Sequence, residues 1–77
     1  MSISPAQCRA GRALVDMHQA ALAKAASVSR SVIIDFEKGR GVPTRNNLAA
    51  IQHVLEKAGV EFTNGDAPGV RLKKSKK

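Results

Sequence analysis

A chain of 77 residues is one small domain, with room for a single core and little for a large catalytic cleft. Thirteen Lys and Arg against six Asp and Glu leave a net charge of +7 and a pI ≈ 10.4, the balance of a protein that meets a polyanion. The single cysteine, Cys8, excludes an intramolecular disulfide, and with two Phe and no Tyr or Trp there are too few rings to stack successive single-stranded bases. Duplex DNA is therefore favoured over single-stranded RNA. The opening "MSISPAQCRA" has no apolar signal region, and no apolar run approaches the ~18 residues of a membrane span. A cytoplasmic protein with no membrane association is expected.

In chain order, "SPAQ" is a helix-start signal: Ser4 can cap, Pro5 suits the first helical position, and Gln7 stands where a capping box wants Glu or Gln. The first helix is expected to reach about Asp16, with Cys8, Gly11 or Arg12, and Val15 inward and Leu14 and Met17 at its end. A second, Ala-rich helix over Gln19 to Ala25 places Leu22, Ala23 and Ala26 at helical spacing. Ser27 and Val28 make a tight turn, and Ser29 caps a third helix carrying Ile33 and Phe36 inward. "GRGVP" is a loop, Thr44 caps a fourth helix, and Leu48, Ile51, Leu55 and Ala58 mark its buried face before Gly59 stops it. "VEF" and "VRL", joined by "TNGDAPG", read as a two-stranded hairpin over 60–72. Residues 73–77, "KKSKK", form a basic tail too charged to fold.

The stretch "QAALAKAASVSRSVIIDFEKG" has the layout of two short helices joined by a tight turn. Arg12 stands seven residues before Gln19, followed by "Q-A-x-L-A", "V-S-R-S-x-I-x-x-F-E-K-G", a Pro-containing loop and a Leu-rich helix. In these features residues from about Cys8 to Leu55 resemble the Xre/Cro/cI-type helix-turn-helix family of DNA-binding domains, which includes phage repressors, controller proteins and some antitoxins. The resemblance implies a mainly α, four-to-five-helix, lambda-repressor-like domain over 1–59, with the hairpin and tail appended. It also implies that the third helix lies in the major groove. Three positions depart from the family pattern: Ser27 stands in place of a turn glycine, His18 in place of a Ser or Thr cap, and Ala21 in place of an acidic residue.

Carried over position by position, the base-reading residues are Arg30, Ser31, Val32 and Asp35. Arg can grip guanine O6 and N7, a hydroxyl reads donor or acceptor, Val can touch a thymine methyl, and Asp can accept from cytosine N4. Asp35 needs a cytosine or a basic neighbour to offset its repulsion from phosphates. Phosphate contacts fall to Gln19 and Ser29 at helix starts and to Lys38, Arg40 and Arg45. Arg12 and Glu37 correspond to the family's structural ion pair. Val60, Phe62, Val70 and Leu72 alternate along the hairpin and are expected to join a homodimer interface, the alternative being that the hairpin folds back on its own fourth helix.

The expected function is a sequence-specific, double-stranded-DNA-binding regulator, a homodimer on an inverted repeat. The alternative from another class is an antitoxin or anti-activator that uses the same scaffold to bind a protein. Cys8 reads as core filling and His18 and His53 as surface residues too far apart for a metal site. The Ser, His and Asp residues form no recognisable catalytic motif. No enzyme activity, cofactor, metal or small-molecule ligand is expected.

Overall fold

The computed structural model describes residues 2–64 and 66–73, so most of the expected basic tail lies outside the described residues. Four helices precede a hairpin: α1 (Pro5–Leu14), α2 (Gln19–Ala26), α3 (Arg30–Glu37), α4 (Arg45–Lys57), β1 (Val60–Thr63) and β2 (Gly69–Leu72). This is the mainly α helix-turn-helix fold expected.

Three of the four helix starts are written in their caps. Ser4 Oγ accepts from Gln7 N at 3.1 Å while Gln7 Oε1 accepts from Ser4 N at 2.8 Å, a complete capping box with Pro5 in the first turn. Ser29 Oγ accepts from Val32 N at 3.3 Å, and Thr44 Oγ1 from Asn47 N at 3.1 Å. His18 makes no side-chain cap to α2.

Helix ends are set by left-handed residues. α1 stops at Leu14, short of the expected Asp16, because Asp16 turns to φ 53° and the Met17 N–H closes on the Arg12 carbonyl at 2.9 Å. At the end of α2, Ser27 takes φ 59° and the Val28 N–H reaches the Ala23 carbonyl at 3.0 Å. Gly39, at φ 75°, does the same after α3.

The core gathers Ile3, Cys8, Leu22, Ala23, Ala26, Ile33, Phe36, Leu48, Ile51, Leu55 and Val60. Those from α1 to α4 follow the expected stripes. Ala58 does not: it stands past the last turn of α4 as its C-cap and is exposed.

β1 and β2 pair antiparallel, with Val60 opposite Leu72 and Phe62 opposite Val70. The hairpin packs against α1 and α4 of its own chain. Gly11 makes this approach possible: a Cβ there would lie 3.3 Å from Val60 Cγ1 and 3.5 Å from the Phe62 ring. Gln7 then pins the strands to α1, its Nε2 donating to the Thr63 and Gly69 carbonyls, each at 3.0 Å. Val60 is 1% exposed, and Phe62 and Val70 pack against the core, so of the four residues expected at a subunit interface only Leu72, 52% exposed, is open to a partner. The alternating set satisfies its own domain first, because a two-stranded hairpin needs an apolar surface to lie on.

Candidate nucleic-acid interface

α3 divides cleanly. Ile33, Phe36 and Glu37 are buried, whereas Ser29, Arg30, Ser31 and Asp35 are exposed on the other side. Val32 and Ile34 are half-buried, which leaves Val32 able to offer only an edge of its side chain to a base. At the tip, the Ser29 and Ser31 hydroxyls lie 3.2 Å apart, so the Ser29 oxygen caps the helix and also meets the neighbouring hydroxyl. Beyond the helix the chain stays exposed from Lys38 to Val42, and Val42 is 89% exposed. Arg45, in the first turn of α4, is exposed as well.

Asp35 has the basic neighbour it requires. Arg40 Nη2 lies 3.5 Å from Asp35 Oδ1, with both side chains more than half exposed. Glu61 is likewise matched, by Arg71 at 2.7 Å. The Arg30, Lys38 and Arg45 side chains show no carboxylate partner among the described residues, so positive charge is left at the start of α3, just past its end and at the start of α4.

The frame behind this surface is built around Glu37, which is 2% exposed. Arg12 grips it with two donors, Nε on Oε2 at 2.6 Å and Nη2 on Oε1 at 2.7 Å. The same guanidinium donates from Nη1 to the Met17 carbonyl at 3.0 Å, tying the end of α1 to the end of α3. Gln19 Nε2 donates to Oε1 at 3.0 Å and Cys8 Sγ to Oε2 at 3.2 Å, while Arg9 Nη1 donates to the Glu37 carbonyl oxygen. Burial is the largest influence on the Glu37 carboxyl and opposes its ionisation. The hydrogen bonds from Arg12, Gln19 and Cys8, joined by the Arg12 charge, outweigh it and hold the group below its ordinary 4.5. Burial pushes the Cys8 thiol far up, assisted by its bond to Glu37 and the negative charge there. Among the described residues no buried side-chain nitrogen or oxygen lacks a partner.

Two side chains expected at phosphates have partners within the domain. The Gln19 amide turns inward to Glu37 instead of outward to a phosphate, because a buried carboxylate draws every donor within reach. What remains at that helix start is backbone N–H. Arg40 leans toward Asp35 and shares its charge with that carboxylate. The residues not foreseen are Arg9 and Gln7 as anchors and Cys8 as a donor. The spacing carried a signal for Cys8, since it stands four residues before Arg12 on the same face of α1.

A model of the helix-turn-helix family matches residues 9–62, from α1 through most of β1. The chain belongs to the Xre/Cro/cI-type helix-turn-helix family. It is a DNA-binding helix-turn-helix domain, with α2 and α3 as the two helices of the motif and Ser27 in the left-handed turn between them. No curated protein matches the chain. Among the described residues no helix is long and apolar enough to cross a membrane, and no group of His, Cys, Asp and Glu could hold a metal ion.

Proposed function

We propose that this helix-turn-helix protein is a sequence-specific transcriptional regulator that lays α3 in the major groove of duplex DNA in the cytoplasm. The observation that carries the reading is the division of α3: its inner side is locked to α1 and α2 through Glu37, and its outer side presents Arg30, Ser31 and Asp35 with Lys38 and Arg45 beside them. Arg30 reads guanine, Ser31 a donor or acceptor, and Asp35 a cytosine amine. Lys38, Arg45 and the uncapped N–H groups of α2 meet phosphates and set register. A module that bound only another protein would have no use for this unpaired basic rim.

One recognition helix reads only a few base pairs, so the protein acts as a homodimer on an inverted repeat, with the two α3 helices about 34 Å apart. A surface groove supports the second copy. It is lined by Leu14, Val15 and Leu72, with Asp16 and Glu56 of one sign and Lys57 and Lys73 of the other. A two-fold interface brings one patch against itself, and this patch carries both the apolar surface and the opposed charges that such a contact needs. The outer edge of β2 continues it.

Selection of bound duplexes from a random pool tests the whole reading. A palindrome should be recovered, Arg30→Ala should relax one base pair per half-site, and Lys38→Ala should weaken all sequences alike and flatten the salt dependence. Uniform loss in both variants with unchanged base preference would remove α3 as the reader.

A further inference from the structure

We infer that Arg40 is a specificity determinant acting through Asp35, a positioning residue for base reading and not an anchor on the phosphate backbone. The inference rests on α3 being the reading helix. Two separate connections bring the residues together. The first is the turn that ends α3: Gly39 adopts φ 75°, its N–H closes on the Phe36 carbonyl at 3.0 Å, and the Arg40 N–H closes on the Asp35 carbonyl at 2.8 Å. The second is the ion pair itself, Arg40 Nη2 to Asp35 Oδ1 at 3.5 Å. Gly41 keeps the departing chain beside the same side chain, since a Cβ there would lie 3.6 Å from Asp35 Cβ.

In free protein this pair does little for stability, because exposed ion pairs contribute little in water. Its consequence appears in the groove. A lone carboxylate carried toward two phosphate backbones is repelled, and loses water besides. With Arg40 on Oδ1 the charge is compensated, and among the described residues Oδ2 has no partner, so it is left to accept from a cytosine N4 amine. Arg40 spends its charge on the reader. Lys38, two residues earlier and without a carboxylate partner, remains the backbone contact.

The test compares Arg40→Ala, Arg40→Lys, Asp35→Ala and the double variant with Lys38→Ala and Arg30→Ala, by duplex selection and by salt titration of binding to the recovered site. Arg40→Ala should lower the preference for cytosine at one base pair per half-site by about tenfold, the low end of what one base contact discriminates, beside a loss common to all duplexes that salt screens, since the Asp35 charge is then uncompensated. Arg40→Lys should restore part of that preference. In the Asp35→Ala background, removing Arg40 should change base preference no further. Loss by Arg40→Ala of affinity for every duplex by the same factor, as in Lys38→Ala, with the preference for cytosine unchanged, would overturn the inference. If that happens while Arg30→Ala still relaxes its own base pair, the coupling of Arg40 to Asp35 fails and α3 stands as the reader. If neither Arg30→Ala nor Asp35→Ala shifts any preference, the reading of α3 fails and takes the inference with it.

Discussion

The Gln7 side-chain amide donates to the Thr63 carbonyl, 56 residues along the chain, at 3.0 Å. One glutamine thus closes the capping box of α1 and fastens the hairpin to it. The hairpin is consequently part of the domain, and a chain ending at Gly59 should not melt like the full one. Val60 alone, fully buried, is worth about 1.5–3 kcal/mol, and Phe62 and Val70 leave with it, against a total of about 5–15 kcal/mol for a typical domain. The truncated chain should show a broad, weakly cooperative thermal transition by circular dichroism. A sharp transition at the full-length midpoint would mean that the hairpin is only an appendage.

Glu37 makes stability fall in acid. Its folded pKa is lowered from the ordinary 4.5, so its contribution is complete above that value and is lost as pH falls below it toward the folded pKa. Glu37→Gln keeps the size and removes the charge. Urea midpoints of wild type and this variant should differ most at neutral pH and draw together below about pH 4.5. Glu37→Ala, which leaves Arg12 without its partner, should cost on the order of 3 kcal/mol at pH 7. A constant gap between wild type and Glu37→Gln from pH 3 to 7 would show that the carboxylate charge is not what holds α3 to α1.

Cys8 should be silent toward thiol reagents in the folded protein. Burial and the Glu37 carboxylate both disfavour its thiolate, and the thiolate is the reactive form. Labelling by an aromatic disulfide at pH 8 should be slow in buffer and fast in denaturing urea. Fast labelling of a protein that keeps its helical signal would reveal local opening between α1 and α3.

Much of this architecture is legible in the residues, and what is not has a common cause. Caps are local, so Ser4, Ser29 and Thr44 declare helix starts within three residues of their partners. The Ile33–Phe36 and Leu48–Ile51–Leu55 stripes are local periodicities too. The hairpin reads as strands, and its packing on its own α4 is the alternative that the alternating residues leave open; the share α1 takes in the docking is not legible, because nothing near Val60 indicates that Gly11 will make room for it. Gln19 and Arg40 could be placed on their elements but not oriented, since each turns toward a carboxylate several residues or more away. A side chain with two suitors is decided by tertiary structure. Pattern alone assigns it to the surface.

The groove between α1 and β2 gives the proposed dimer a test independent of folding. Leu72 is 52% exposed and Leu14 38%, so charge at either position disturbs no core. Leu14→Glu and Leu72→Glu together should leave the melting transition near that of wild type at low concentration, shift light-scattering mass to the monomer, and weaken binding to a palindrome more than to a single half-site. A double variant that stays dimeric would move the interface elsewhere.

Ser27 is the turn between the two helices of the motif, and its left-handed backbone at φ 59° suits glycine better than serine. The strain is of order 1 kcal/mol, while glycine also adds freedom to the unfolded chain, so the net gain is smaller than the strain released. Ser27 is exposed and its N–H already closes on the Lys24 carbonyl at 3.2 Å, a bond glycine keeps. Ser27→Gly should therefore raise the thermal midpoint by a few degrees, as expected for a sub-kilocalorie gain in a domain of this size. Base preference should be unchanged, because Arg30, Ser31 and Asp35 keep their places on α3. A lowered midpoint would mean that the serine hydroxyl supports the turn in a way its backbone bonds do not reveal, and an altered base preference would mean that this turn sets the angle of the reading helix.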